Sequence, residues 1–188
     1  MNAAAAVTLR DVFHNLEVLE FSGEWKTPVS GLVLDSRRVI PGSVFFATLG
    51  LRTNGEFFIE EAVARGAAAI VSSSKPSSPH PQLAWVRVGD PRKTLAGASR
   101  NFFRNPGAKL CLAGVTGTNG KTTVTTLLHY LLGAGGGAPW GLIGTVRYEL
   151  GGRGLPSHRT TPESPEIHGM MARMVEAGCA GLVMEVSS

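Results

Sequence analysis

The feature that most constrains this chain is a glycine-rich turn, Gly117-Thr118-Asn119-Gly120-Lys121-Thr122-Thr123. It sits between a continuous apolar run at 110–115 and a segment with Val124, Leu127, Leu128, Leu131 and Leu132 at helical spacing. The run reads as a strand covered on both faces, and the spacing after it as an amphipathic helix. A strand feeding a turn into a helix aims backbone N–H groups at one point, at the positive end of the helix dipole. Gly117 and Gly120 let that backbone approach a phosphate where a Cβ would stand in the way. Lys121 then offers a positive charge to the β- and γ-phosphates, and Thr122 a hydroxyl to Mg2+. The turn departs from the common phosphate loop, because the first glycine of Gly-x-x-x-x-Gly-Lys-Thr falls on Val115. A plain turn before a helix accounts for two glycines but not for the Lys-Thr pair adjoining them. Phosphate binding is the expectation.

Strands and helices alternate around this turn, which argues for a parallel α/β sheet. Before Asn105-Pro106-Gly107 the pattern predicts a helix at 7–19, with Leu9, Val12, Phe13 and Leu16 on one face. Strands follow at 31–34 and 44–49, split by Pro41-Gly42, then a helix at 57–65 stopped by Gly66. A strand at 67–71, a Ser- and Pro-rich loop at 72–81 and a strand at 83–88 lead to Asp90-Pro91, which starts a helix running to about residue 103. After the turn's own helix come a strand at 140–146 and a helix at 164–177, with Ile167, Met170, Met171, Met174 and Val175 on its buried side. A last buried strand at 180–186 carries Glu185 near its carboxyl end. That end is the rim on which parallel sheets bind ligands. Glu185 is therefore either a ligand of Mg2+, direct or through water, or a strand-end carboxylate facing solvent. The chain stops at Ser188 with no helix to cover that strand, as expected of an incomplete domain. The expected organisation is a small N-terminal α/β domain at 1–105 and, at 106–188, the first part of a P-loop type parallel-sheet ATP-binding domain.

Composition narrows the partners. With 43% hydrophobic and 17% charged residues the 188-residue chain is a folded protein, not a disordered one. The net charge of +4 is scattered, and neither Arg37-Arg38 nor Arg92-Lys93 has aromatic neighbours interleaved, so no nucleic-acid partner is expected. No apolar run approaches the roughly 18–20 residues that span a bilayer, and the start lacks a signal peptide's basic region. Cys111 and Cys179 lie in apolar runs without Cys-x-x-Cys spacing, and read as reduced core residues of a cytoplasmic protein. His129 and His168 read as ordinary helix residues.

Thr116 through Thr123 resembles the ATP loop of the Mur ligases, ATP-dependent amide-forming enzymes of peptidoglycan synthesis whose loop also lacks the first glycine. Leu34-Asp35-Ser36-Arg37, Pro41-Gly42-Ser43-Val44-Phe45-Phe46-Ala47, Gly50, Asn54-Gly55 and Phe58-Ile59 resemble the N-terminal domain shared by the ligases that add the third residue and the terminal dipeptide of the stem. Thr160-Thr161-Pro162-Glu163 and Met184-Glu185-Val186-Ser187-Ser188 resemble the third-residue, or MurE, type. Together these stretches cover nearly the whole chain.

The resemblance implies roles. Leu34, Ser36, Leu51, Arg52 and Thr53 would hold the uridine-diphosphate end of the substrate, and Thr160, Thr161 and Ser187 its muramoyl-peptide part. Gly117, Thr118, Asn119, Gly120, Lys121, Thr122 and Thr123 would hold ATP, and Thr122 with Glu185 would ligate Mg2+. Lys121 would neutralise the transferring phosphoryl group and is the catalytic candidate. The implied reaction phosphorylates the D-glutamate carboxylate of UDP-N-acetylmuramoyl-L-alanyl-D-glutamate. The amine of meso-diaminopimelate or L-lysine then attacks the acyl phosphate, releasing phosphate. The family's chain continues through the rest of the central domain and a C-terminal domain for the incoming amino acid, so these 188 residues are expected to be an inactive fragment. Two alternatives stand beside this one: a non-catalytic module binding uridine nucleotide or ATP, and an unrelated P-loop NTPase. Residues 34–37 and 160–163 argue against the second.

Overall fold

The computed structural model describes residues 6–50, 54–75, 80 and 83–187. The chain divides into two compact units, Met1–Phe102 and Phe103–Ser188.

The first unit opens with a single helical turn, α1 (Leu9–Val12). Thr8 and Asp11 cap it reciprocally: the Thr8 amide donates to Asp11 Oδ2 at 2.8 Å, and the Asp11 amide to Thr8 Oγ1 at 3.4 Å. The helix expected at 7–19 is thus much shorter. Asn15 takes a left-handed φ of 56°, which ends helical continuation. The chain then enters a strand that the periodicity did not reveal, β1 (Glu20–Ser22). Leu9, Val12 and Phe13 are nonetheless buried, so the apolar spacing identified core residues while overstating the helix.

The sheet continues with β2 (Gly31–Val33), β3 (Ser43–Phe46), β4 (Ala69–Ser72) and β5 (Ala84–Arg87), in the order β1-β5-β4-β3-β2. β2 to β5 pair in parallel, and β1 joins β5 antiparallel at the edge. β3 ends earlier than expected because the Thr48 amide turns back to the Phe46 carbonyl at 3.0 Å. Its side chains alternate between two cores. Val44 and Phe46 pack with Leu9, Val12 and Leu95, while Phe45 packs with Val39, Ala62, Ile70 and Trp85. That two-sided burial is what a continuous apolar strand implies. On one face lies α2 (Ile59–Ala64), preceded by a 3-10 turn at Gly55–Phe58 that Asn54 caps. On the other lies α3 (Pro91–Phe102), where Asp90 Oδ1 accepts from the amides of Arg92 and Lys93 at 2.9 and 3.0 Å.

The second unit is built from β6 (Cys111–Val115), α4 (Lys121–Gly133), β7 (Trp140–Ile143), β8 (Arg147–Glu149), β9 (Gly154–Pro156), α5 (Ser164–Glu176) and β10 (Gly181–Glu185). The strand order is β6-β10-β7-β8-β9. β10 pairs in parallel with β6 and β7, and β7, β8 and β9 form an antiparallel meander. The single strand expected at 140–146 is therefore only the first arm of that meander. Gly151 and Gly152, at φ of 72° and 92°, make the turn between its other two arms.

Two further expectations are corrected here. β6 is an edge strand rather than one covered on both faces: Cys111 is exposed, and Leu112 is 51% exposed. Cys111 is accordingly not a core residue, whereas Cys179 is buried and its thiol is pushed up by that burial. On α4 the apolar stripe points outward, with Val124, Leu127 and Leu131 exposed. The helix buries Thr125 instead, and half-buries Leu128, His129 and Leu132. His129 Nε2 lies 2.9 Å from the Trp140 carbonyl, tying α4 to β7. α5 follows expectation, with Met170, Met171 and Met174 buried among Ile143, Tyr148, Leu150 and Leu182. Among the described residues no helix is long and apolar enough to cross a membrane.

Candidate functional site

β6 ends at Val115, and the turn runs into α4 at Lys121. Gly117 and Gly120 take φ of 145° and 77°, in the region that favours glycine, so both are required by the path of the turn. Gly120 caps α4 without any side-chain bond, which leaves the first amides of the helix aimed outward. Lys121 curls back over the turn, its Nζ donating to the Gly117 carbonyl at 2.6 Å. Thr125 anchors the first turn from beneath, its hydroxyl lying 2.9 Å from the Lys121 carbonyl.

Register explains what faces this turn. Parallel pairing sets Glu185 beside Val115, the last residue of β6, so the carboxylate reaches the same rim as the turn. Glu185 is 1% exposed. Its Oε2 accepts from Thr122 Oγ1 and Thr145 Oγ1, each at 3.0 Å, and its Oε1 accepts from the Thr145 amide at 2.9 Å. Gly144 makes room for it, because a Cβ there would stand 2.7 Å from Oε1. The solvent-facing alternative for Glu185 is thereby excluded. A buried carboxylate needs compensation, and here hydroxyl and amide donors supply it.

An open cleft of about 480 Å³ lies between the turn and this rim. Residues 118–123 line one side, and Thr145, Thr160, Glu185 and Ser187 the other. The ATP candidates from Thr118 to Thr123, the two Mg2+ candidates, and Thr160 and Ser187 are thus brought together in one place. Thr161 is a brace behind it: its hydroxyl donates to the Glu185 carbonyl at 3.2 Å and accepts from the Ser187 amide at 2.9 Å. Arg159 pairs with Glu163 at 3.3 Å.

Thr145 is the residue that sequence reasoning missed. It directly follows the β7 strand and Gly144, on the rim where β10 ends. A polar residue just past an apolar strand was the available signal. It was hidden because residues 140–146 read as one unbroken strand.

The remaining candidates lie in the first unit. Ser36 is buried, and its hydroxyl donates to Glu61 Oε2 at 2.6 Å. That bond, with help from Arg65, holds the Glu61 carboxyl below the usual range. Asp35 is likewise held low by its bonds to Arg37, at 2.7 and 2.9 Å to the guanidinium. Leu34 packs partly buried against the first unit's core. Leu51, Arg52 and Thr53 lie outside the described residues.

The donor set fits magnesium. Among the described residues no group of three or more His, Cys, Asp or Glu forms a protein cage. A hydroxyl and a carboxylate oxygen 3.0 Å apart, beside a phosphate turn, suit an ion that keeps several waters and also binds phosphate oxygens.

Comparison with known proteins identifies the family of both units. Residues 28–103 match the family model described as Mur ligase family, catalytic domain, and residues 115–188 match the Mur ligase middle domain. A UDP-N-acetylmuramoyl-L-alanyl-D-glutamate–2,6-diaminopimelate ligase of Chlorobaculum tepidum is 44% identical over 160 residues, covering 85% of this chain and 31% of that protein. A solved structure of a ligase of the same description superposes with a TM-score of 0.72 at 24% identity, over 97% of this chain and 36% of that one. The MurF ligase of Thermotoga maritima, solved in complex with ADP, aligns over 84% of this chain and 32% of its own at 28% identity, with a TM-score of 0.54. The chain spans about a third of the length of the curated relatives it matches. With both of its units matched in this way, the chain belongs to the Mur ligase family.

Proposed function

We propose that the chain is the N-terminal part of an ATP-dependent ligase that adds diaminopimelate to UDP-N-acetylmuramoyl-L-alanyl-D-glutamate. The observation that carries this reading is the convergence of Lys121, Thr122 and Glu185 on one cleft with Thr160 and Ser187. A phosphate site alone fits any NTPase; the threonine and serine facing it across the cleft supply polar contacts for a second, polar substrate. Relatives named as 2,6-diaminopimelate ligases favour diaminopimelate over L-lysine as the incoming amino acid. The ADP complex of the Thermotoga maritima relative supports ATP as the nucleotide. A reaction that uses ATP and a UDP-linked substrate would belong to the cytoplasm.

In this reading residues 1–105 hold the uridine-diphosphate end through Leu34, Ser36 and residues 51–53, and residues 106–188 hold ATP. The amides of the turn and the first turn of α4 cradle the β- and γ-phosphates. Lys121 leaves the Gly117 carbonyl and places its charge on the phosphoryl group that is transferred to the D-glutamate carboxylate. Thr160 and Ser187 orient that carboxylate for in-line attack. Mg2+, held by Thr122 and Glu185, would supply neutralising charge to the phosphate oxygens.

Calorimetry of the 188-residue chain with UDP-N-acetylmuramoyl-L-alanyl-D-glutamate tests the substrate assignment. The expected result is saturable binding, weakened about tenfold or more by Ser36→Ala. Absence of binding by the unmutated, folded chain would contradict it. The chain alone is expected to release no phosphate from ATP with dipeptide substrate and diaminopimelate, since it spans only about a third of its relatives. Amino-acid-dependent release would overturn that part.

A further inference from the structure

We propose that Thr145 is a positioning residue that sets the Glu185 carboxylate for a divalent cation and couples it to the substrate-side Thr160. This rests on the nucleotide–metal reading of the cleft given above. Three observations carry it.

Thr145 is the only residue described as binding both oxygens of Glu185: its amide donates to Oε1 at 2.9 Å and its hydroxyl to Oε2 at 3.0 Å. Two bonds from one residue fix both the rotation and the tilt of the carboxylate, which a single donor cannot do. Glu185 forms no ion pair among the described residues, and Lys121 is turned to the Gly117 carbonyl instead. The carboxylate therefore stays oriented and free of a side-chain cation, the state in which a divalent ion finds a preformed ligand.

Thr145 Oγ1 also lies 3.1 Å from Thr160 Oγ1. A hydroxyl carries one hydrogen, and an ionised carboxylate can only accept. When Thr145 donates to Glu185, Thr160 is therefore the donor to Thr145. The order Thr160, Thr145, Glu185 links the substrate-facing side of the cleft to the metal-facing side. Capture of the Thr160 hydrogen by a substrate would take from Thr145 the bond it accepts, and leave its two bonds to Glu185 in place. The Gly144 backbone makes the geometry possible, because any side chain there would displace Oε1.

The test uses the 188-residue chain with Mn2+ as the metal probe, its binding read by electron paramagnetic resonance in the presence of ADP, and ADP binding read separately without metal. Thr145→Val removes the hydroxyl but keeps the branched shape and the amide; Thr145→Ser restores the hydroxyl. The expected result is Mn2+ affinity weakened about 10- to 100-fold in Thr145→Val and recovered to within about threefold in Thr145→Ser. Thermal unfolding should fall by a few degrees in Thr145→Val, because a buried carboxylate loses one donor, and recover in Thr145→Ser, while metal-free ADP affinity, carried by the turn, should be unchanged in both. Unaltered Mn2+ affinity in Thr145→Val, or an equal loss of metal-free ADP binding, overturns the positioning role while the nucleotide site stands. If the unmutated chain binds ADP but ADP-bound Mn2+ gives no protein-dependent spectrum, the metal reading fails, and the proposal with it.

Discussion

The Thr122 hydroxyl donates to the Glu185 carboxylate over 3.0 Å, joining the first turn of α4 to the carboxyl end of β10 across 63 residues of sequence. The two elements belong to one rim only because parallel pairing with β6 sets Glu185 level with Val115, where the turn begins. Glu185→Gln keeps the shape of the side chain but removes its charge and turns an NH2 group toward donors. It should lose about 1–3 kcal/mol of stability, from donors left unmatched in a buried place. It should also weaken Mg2+-dependent enhancement of ADP binding at least tenfold. Chemical denaturation and calorimetry with and without Mg2+ measure the two effects separately.

Gly144 and Gly141 offer a contrast. An alanine Cβ at 144 would meet Glu185 Oε1 at 2.7 Å, whereas at 141 it would meet the Met174 sulfur at 2.4 Å. Both substitutions overpack, and each should cost about 1–3 kcal/mol. Methionine is flexible and can move aside without touching the site. Gly144→Ala is therefore expected to abolish the Mg2+ effect on ADP binding, and Gly141→Ala to leave it intact. Equal loss in both would show that the effect is global.

The two cysteines should separate cleanly under alkylation. Cys111 is exposed on the edge strand, while Cys179 is buried with its thiol pushed up, which lowers its reactive thiolate fraction. Mass spectrometry after brief iodoacetamide treatment of the native chain should find one label, on Cys111. Denaturant should release the second. Rapid native labelling of Cys179 would contradict its place in the core.

The Ser36–Glu61 bond predicts a pH signature. Glu61 is held below its usual value near 4.5, first by the Ser36 hydroxyl and then by Arg65. A depressed carboxylate contributes stability that is present above the unfolded-state value and lost as pH falls through the lowered folded-state value. Ser36→Ala should move the Glu61 titration upward toward 4.5 in a carbon-detected NMR experiment, and flatten the acid limb of stability between the two values. An unchanged Glu61 titration would mean that the bond does not persist in solution.

How legible all this was depended on how local the cause was. Asp90-Pro91 announces α3 through its own cap, and the Met170, Met171, Met174 stripe announces the buried face of α5. The turn at 117–123 joins β6 to α4 as its adjacent residues announce, since its glycines need no partner to set the path. What failed was set by neighbours. The outward stripe of α4 has the same spacing as a buried one, and periodicity cannot tell which face a sheet will cover. Cys111 and Leu112 read as buried because an edge strand and a central strand share the same apolar run. The meander from β7 to β9 was missed because its second and third strands are only three residues each, too short for alternation to register. Glu185 was ambiguous until register placed it, and Thr145 gained meaning only from Glu185.

The proposed nucleotide site is the turn with Lys121. Titration calorimetry of the 188-residue chain with Mg-ADP, repeated on Lys121→Met, tests it most directly. The expected result is one saturable site in the unmutated chain, weakened at least tenfold, or about 1.4 kcal/mol, by removal of the Lys121 charge while the circular dichroism spectrum stays the same. A folded chain that takes up no Mg-ADP, or a Lys121→Met variant that binds it equally well, would rule this site out.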